Sequence, residues 1–563
     1  MSEQAEEKGA CREIPSLVSR LSGEGKGFGY LTWEWAQQKP DKVAVICDGT
    51  SRTYGRLEER ISGLAKALGK LGLSRESRAA IVLPNCIEYL EIEFACARVG
   101  ITIVKINWRL SLPEIRELLA WNDVELVFSR RDLPGISWET DSDLGLGFFL
   151  VDVTGEAFAE MAEGGAAGES EETAKARDGK ETREIRSAGA GGRTGLRAYV
   201  PAEVPDSILM HLHTSGTTGT PKCVIYTQES LLAELDLCRK ALGFSKDTVF
   251  QVMSQLYHAA SIGPYTCLSL GGTLVMFQRF QPKEYLRSIG RYKVTRLSAI
   301  PTVLRAILDE PELEHSDLSS LKTVYYSTCP IPPGLIRQAR RALGCDFVQS
   351  YGMTEMGSIV TILGPEDHRQ EGVRLHSAGC PLDGCQVRIV DPEDRDRARG
   401  QTGEILLRGP GRMRGYYKME EATRQALRGG WYHTGDIGWL DEDGYLYLTG
   451  RKSDLIISGG ENIYPKEIED VLGECPGVRE SAVYGVPHGY WGEAVHASVI
   501  PRTGVHLTGE ELREFCQGRL AGYKIPKEFF FREEFPRNAT GKVLKRVLVQ
   551  EETGKTEAER TTI

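Results

Sequence analysis

The sequence predicts an α/β protein in two parts: a large N-terminal domain whose β-sheets are flanked by helices, and a small α+β C-terminal domain. Three observations carry this prediction. The chain has 563 residues, several times the roughly 150 of a typical single domain. Helical and strand periods alternate up to Gly450, the grammar of layered α/β architecture. After Gly450 that grammar changes. The 41% apolar share is ordinary for a globular chain and leaves enough side chain for more than one core.

In chain order, apolar spacing predicts an amphipathic helix near Leu57 to Leu71, a buried strand at Ala79 to Leu83 and a helix from about Ile87. Between Glu163 and Gly195 the only large aliphatic or aromatic residue is Ile185. That composition cannot bury enough surface to order itself, so 163–195 reads as a flexible, solvated insertion. Around Gly450, the strand Tyr445 to Leu448 leads into a glycine-rich loop and then a helix opened by Pro465, with Ile468, Val471 and Leu472 on one face. Apolar runs at Ser481 to Val486 and Ala494 to Ile500 read as strands. Thr508 and Glu511 form a capping box for a helix presenting Leu512, Phe515 and Leu520. The expected division is 1–451 and 452–563.

Composition limits function. A net charge of −10 argues against a nucleic-acid coat or a polybasic membrane surface. No stretch reaches the roughly 18 apolar residues of a membrane span, and the opening MSEQAEEKGACREIP lacks the basic and apolar regions of a secretory leader. The thirteen cysteines are odd in number and include no CxxC pair, which suits free thiols in a reducing cytoplasm. Cys380 and Cys385 have no neighbouring His or Cys to complete a zinc set, so core packing is the expectation there.

The richest local chemistry is HTSGTTGTPKC, His213 to Cys223, after the apolar run Ile208 to Met210. Glycines let backbone N–H groups approach phosphate oxygens, hydroxyls donate further bonds, and Lys222 brings positive charge. These are the parts of a polyphosphate cradle, although taken alone they also suit a polar glycine-rich turn. A Walker loop is excluded. Counting from Gly216, Pro221 stands where glycine is needed and Cys223 where Ser or Thr is needed.

Four further segments follow in order: YGMTE (Tyr351 to Glu355), WYHTGD (Trp431 to Asp436), GRKSDLIISGGENIYPKEIE (Gly450 to Glu469) and PRNATGK (Pro536 to Lys542). With the hydroxyl-rich loop, these resemble the adenylate-forming superfamily of acyl-CoA synthetases, peptide-synthetase adenylation domains and luciferases. ENIYPKEIE is most similar to the acyl-CoA ligases. The resemblance implies that Thr214, Ser215, Gly216, Thr217, Thr218, Gly219 and Lys222 hold ATP phosphates. It implies that Glu355 holds magnesium, Thr354 sits near the α-phosphate, and Tyr351 with Gly352 lies against adenine. Asp436 would take the ribose hydroxyls with Arg451 beside it. Lys542 would bridge carboxylate and α-phosphate oxygens as adenylate forms. A mobile domain delivering one cation where charge builds is physically sensible. Gly459 and Gly460 would line a pantetheine tunnel, and the small domain would pivot at Ser453, where the family usually has Asp or Lys. Cys223 likewise stands where the family has Gly.

Adenylation domains for amino acids place an Asp to pair with the substrate ammonium; the matching segment here is Tyr257 to Ser261, with His258 at that place. The expected acid is therefore not an amino acid, and the resemblance makes His258 a gate beside its carboxylate, although a core histidine also suits this position. STCPI, Ser327 to Ile331, is bulkier than the family's Gly-Gly-Ala run, a hint of a modified pocket. The implied activity is an ATP- and magnesium-dependent acid:CoA ligase for a fatty or aryl acid, acting as a monomer or homodimer. The rivals are an acyl-AMP ligase that loads a carrier protein's phosphopantetheine arm, a luciferase-like oxygenase and a nucleotide sensor without turnover.

Overall fold

The structure is a computed structural model. It describes residues 16, 21, 26–73, 75–136, 138, 148–164, 207–214, 222–328, 331–370, 372–537 and 542–553. Most of the predicted insertion, from residue 165 on, lies outside the described residues. Its first residue, Glu163, pairs with Arg56 and Arg60 on the helix Tyr54–Lys70.

Among the described residues the strands form sheets of nine, seven, four and five members. The nine- and seven-stranded sheets are parallel in their interiors, with antiparallel pairs toward their edges. Parallel interiors require helices over their faces. The helix Tyr54–Lys70 is started by the Thr53 side chain, which accepts from the Arg56 amide, and buries Leu57, Ile61, Leu64 and Leu68. It packs against the helix Ile87–Val99, which is buried nearly all round. The predicted buried strand is Arg78–Ile81, with Val82 and Leu83 continuing the core beyond it.

The helix Ile87–Val99 also carries Glu93, whose side chain is fully buried against the equally buried Lys105, with Nζ and Oε1 2.7 Å apart. Tyr265 donates to both Glu93 oxygens, and Lys105 reaches the Tyr265 and Ser261 hydroxyls. A buried charge pair is tolerable only with its remaining lone pairs and protons satisfied, and here two hydroxyls do that.

Arg451 ends the strand Leu446–Arg451 of the four-stranded sheet. From Ile456 on, strands belong to the five-stranded sheet. There the pair Val478–His488 and Gly492–Pro501 is longer than the apolar runs suggested. It buries both faces: Val483, Val495 and Val499 pack toward the helices Pro465–Gly473 and Gly509–Cys516, while Tyr484, Val486 and Ile500 pack against Phe535 and Leu548. Two-sided burial explains the nearly continuous apolar sequence. The Thr508–Glu511 capping box is present. Leu520 lies beyond that helix, packed against its core from the following turn. The glycine-rich stretch read as a loop is a hairpin, Ile456–Ser458 with Glu461–Ile463, turned by Gly459 and Gly460 at positive φ.

Candidate active site

The strands Ile208–Thr214 and Lys222–Thr227 are antiparallel, so Thr214 and Lys222 face each other at the mouth of the hydroxyl-rich loop. The Thr214 hydroxyl donates to the Lys222 carbonyl at 3.3 Å. Ser215, Gly216, Thr217, Thr218 and Gly219 lie outside the described residues. Cys223 is buried, with Sγ 3.4 Å from Asn122 Oδ1, and burial pushes its thiol up to about 12. It fills the base of the hairpin as a small apolar group rather than as a nucleophile.

The short strand Gly415–Tyr416 pairs with Val224 and Ile225, which brings Tyr416 to the same mouth. Lys222 Nζ stands 4.8 Å over the Tyr416 ring, and the Tyr416 hydroxyl donates to Glu355 Oε1 at 2.9 Å. Burial, and next the Glu355 charge, push the Tyr416 and Tyr432 hydroxyls upward, keeping both as neutral donors beside that carboxylate. The turn Thr354–Met356 that carries Glu355 is fixed by Tyr226, whose hydroxyl donates to the Thr354 carbonyl, and by the Met413 amide, which donates to the Glu355 carbonyl at 2.9 Å.

A second array lies at the other end of the same segment. Tyr351, the last residue of the strand Asp346–Tyr351, donates to Asp436 Oδ2 at 2.8 Å. Arg451 Nε lies 2.9 Å from Asp436 Oδ1, the two being direct partners across adjacent strands. Burial is the largest single influence and opposes the Arg451 charge, but Asp436, Asp454, Tyr351 and Tyr432 together outweigh it, leaving the guanidinium raised. Between the arrays, Gly352 has no room for a side chain: a Cβ there would lie 2.2 Å from the Ser358 carbonyl oxygen. That close approach folds Tyr351 and Glu355 toward their separate partners.

His258 heads the turn Ala259–Ser261, which is tied to the Glu355 segment by Ser358 Oγ donating to the Ala259 carbonyl at 3.1 Å. Its Nε2 is buried without a partner among the described residues. Burial first, then the positive charges of Arg109 and Lys105, lower the ring to about 4. It is a neutral imidazole at physiological pH, with one nitrogen open as a hydrogen-bonding group.

The small-domain residues are placed differently. Half-buried Lys542 precedes Val543, which bridges to Arg537 and packs on the Tyr484 side of the sheet. Arg537 belongs to a group with Arg479, Glu480 and Arg502 that lies within electrostatic reach of Arg305, on the large-domain helix Pro301–Leu308. A Cβ on Gly459 would meet only the Trp491 ring, and one on Gly460 would meet nothing within 4 Å. Ile457, on the same hairpin, is 52% exposed. Ser453 is exposed and donates to Asp454 at 3.0 Å.

The structure thus ties Thr214, Lys222, Asp436, Arg451 and His258 to the one segment that carries Tyr351, Gly352, Thr354 and Glu355, and leaves the Gly459–Gly460 turn apart from them. Sequence reasoning missed Tyr226, Tyr416 and Tyr432. Tyr432 lay inside a quoted motif, but nothing in its neighbourhood announced a hydroxyl beside Glu355.

The parts suit magnesium and a nucleotide. Among the described residues no cluster of three His, Cys, Asp or Glu could hold a metal alone. A single carboxylate beside a lysine and a hydroxyl-rich loop matches a magnesium ion that takes its other ligands from phosphate and water.

Comparison with known proteins agrees along nearly the whole chain. It is 34% identical over 534 residues to a feruloyl-CoA synthase from Amycolatopsis sp, covering 92% of this chain and 98% of that protein. It is 32% identical over 525 residues to a fatty acid–[acyl-carrier-protein] ligase from Streptomyces coeruleorubidus, covering 91% and 94%. The o-succinylbenzoate CoA synthetase of Bacillus subtilis superposes in its complex with an acyl-adenylate intermediate with a TM-score of 0.76 at 29% identity, covering 92% and 97%. The same enzyme in complex with ATP and magnesium superposes with a TM-score of 0.74 at 29% identity, covering 92% and 98%. Residues 32–417 match the family described as AMP-binding enzyme, and residues 467–542 match its C-terminal domain. The chain therefore belongs to the AMP-binding, adenylate-forming family, as an enzyme of its AMP-forming acid–thiol ligase branch.

Proposed function

We propose that this enzyme activates a non-amino carboxylic acid, fatty or aryl, as its acyl-adenylate and transfers the acyl group to the thiol of coenzyme A. The observation that carries the reading is the pairing of two arrays on one short segment: Lys222–Tyr416–Glu355 at its phosphate end and Tyr351–Asp436–Arg451 at its sugar end. Their chemistry matches the two ends of a nucleoside triphosphate.

In the first step a carboxylate oxygen of the acid attacks the α-phosphorus of ATP and pyrophosphate leaves. Such a step is governed by positioning and charge neutralisation. Lys222 offsets charge on the outer phosphates and the loop hydroxyls donate hydrogen bonds to them, with Thr354 near the α-phosphate. Glu355 supplies the protein ligand to magnesium, with Tyr416 and Tyr432 holding its carboxylate in place. Asp436 accepts from the ribose hydroxyls, and Tyr351 and Gly352 line the adenine side. Lys542 stabilises the charge that develops between carboxylate and phosphate. Neutral His258 stands at the acid's entrance with Nε2 as its free group.

In the second step the CoA thiol attacks the acyl carbonyl, the thiol proton is released and AMP departs. The small domain, taken as 452–563 against a large domain of 1–451, pivots at Ser453 so that Lys542 withdraws and the Gly459–Gly460 turn admits the pantetheine arm. The present exposure of that hairpin, with Arg537 on the side facing Arg305, fits the pose preceding the pivot.

The test is pyrophosphate release from ferulate, indoleacetate, o-succinylbenzoate, short and long alkanoates and an amino-acid control, each with and without CoA. A non-amino acid that releases pyrophosphate, and turns over repeatedly only with CoA, supports the proposal. Preference for the amino acid, or no acid-dependent release, overturns it. The carrier-protein relative favours a second reading, in which a phosphopantetheinylated carrier replaces CoA. Turnover with holo-carrier protein and none with CoA would select it.

A further inference from the structure

Beneath the Thr354–Met356 turn lies a second carboxylate that the reaction does not use. Glu234, on the helix Gln228–Ala241, is fully buried. Its Oε1 accepts from the Ile359 amide at 3.0 Å and from the Cys238 thiol at 3.8 Å. Its Oε2 has no hydrogen-bond partner among the described residues. The backbone is pressed onto it from two sides. A Cβ on Gly357 would lie 2.6 Å from Glu234 Oε2, and one on Gly411 would lie 2.3 Å from the same oxygen. Gly357 closes the turn that carries Glu355, and Gly411 lies just before Met413, whose amide holds the Glu355 carbonyl.

Among the described residues, the ionisable groups that act on it are neutral or negative. On its own helix it faces Cys238; from neighbouring segments it faces Cys385, Tyr226 and Tyr325. Tyr226 lies within reach of both Glu234 and Glu355. Among the described residues no lysine, arginine or histidine forms an ion pair with Glu234. An ionised carboxylate sealed in such surroundings is far costlier than a protonated one. Burial accordingly raises Glu234 to about 8, against which the Ile359 amide works only in part.

We infer that Glu234 is a positioning residue, kept as a neutral carboxylic acid, that props the Glu355 turn in its magnesium-binding shape. Loss of its proton places a negative charge against Gly357 and Gly411, and the loops they belong to must part to admit water. Glu355 and its partners then lose their alignment. The effect falls on nucleotide binding, and it rests on the reading of Glu355 as part of the magnesium–ATP site.

Between about pH 4.5 and about 8 the folded chain holds a proton that the unfolded chain has released, so this group lowers stability as pH rises through that window. Above about 8 both states are ionised and the dependence ends.

The experiment measures the affinity of the full chain for ATP in excess magnesium by calorimetry from about pH 6.5 to about 9.5, with thermal melting alongside. Wild type, Glu234→Gln and Glu234→Ala are compared. In wild type, affinity holds near neutrality and falls toward tenfold per pH unit above about 8. Glu234→Gln, which mimics the neutral acid, binds comparably near neutrality and removes the alkaline fall. Glu234→Ala, which leaves the Ile359 amide unpaired, binds more weakly at every pH. An unchanged alkaline fall in Glu234→Gln, or a fall absent from wild type, overturns the inference. If Glu234→Gln does not fold, the wild-type profile alone still decides it. A wild type that binds no ATP at any pH instead refutes the function proposed above.

Discussion

The large-domain cleft and the small domain present their functional groups in opposite ways. In the large domain, Asp436 is held by Tyr351 and Arg451, and Glu355 by Tyr416. On the small domain, the Gly459–Gly460 turn stands in solvent against Trp491, and among the described residues the Ser453 side chain bonds only to its own neighbour, Asp454. On the proposed assignment the first set binds the same nucleotide in both poses, and such groups gain from rigid support. On the same assignment the second set serves one half-reaction each and would have to be free to leave, which suits segments with few restraints.

The sharpest way to break this contrast is Lys542→Ala. Adenylate formation should fall by about a thousandfold, as loss of one cation at a developing charge does, while thioester formation from supplied acyl-adenylate stays within about tenfold of wild type. Equal loss in both assays would mean that Lys542 is part of the fixed cleft. Next is Lys105→Met. Leaving Glu93 buried without its cation should cost about 3 to 5 kcal/mol in urea unfolding, and Glu93→Leu added to it should recover much of that. If the single variant melts like wild type, the cleft does not rest on that pair.

Asp436→Asn keeps a side chain able to bond Tyr351 but removes the charge facing Arg451. KM for ATP should rise about tenfold, or roughly 1.4 kcal/mol, with a smaller change in kcat. The gentlest probe is Ser453→Pro, which stiffens the connector. It should slow CoA transfer by about threefold to tenfold and leave pyrophosphate release nearly unchanged. Transfer at the wild-type rate would place the pivot elsewhere.

What could be read from the sequence was what is local. Pro465 and the Thr508–Glu511 pair start helices by rules acting within one turn, and both helices are present. The motif segments carry their residue types together, so the cleft's Asp436, Glu355 and Lys222 were legible. Tyr416 was not, because it reaches Glu355 only by pairing its strand with Val224, far away in the chain. The hairpin Ile456–Ile463 escaped notice because its strands have three residues each, too short for a period to show. Glu234 was invisible for another reason. A glutamate in an amphipathic helix ordinarily faces water, and only the covering loops around Gly357 and Gly411 make it an interior residue.

Arg451 closes the last strand before the connector and also grips Asp436. A ribose bound to that carboxylate, as proposed, would have to share an oxygen with Tyr351 or loosen Arg451. If Asp436 binds the ribose and the chain pivots at Ser453, as proposed, occupancy of the nucleotide pocket and slack in the tether between the lobes would be linked through this one side chain.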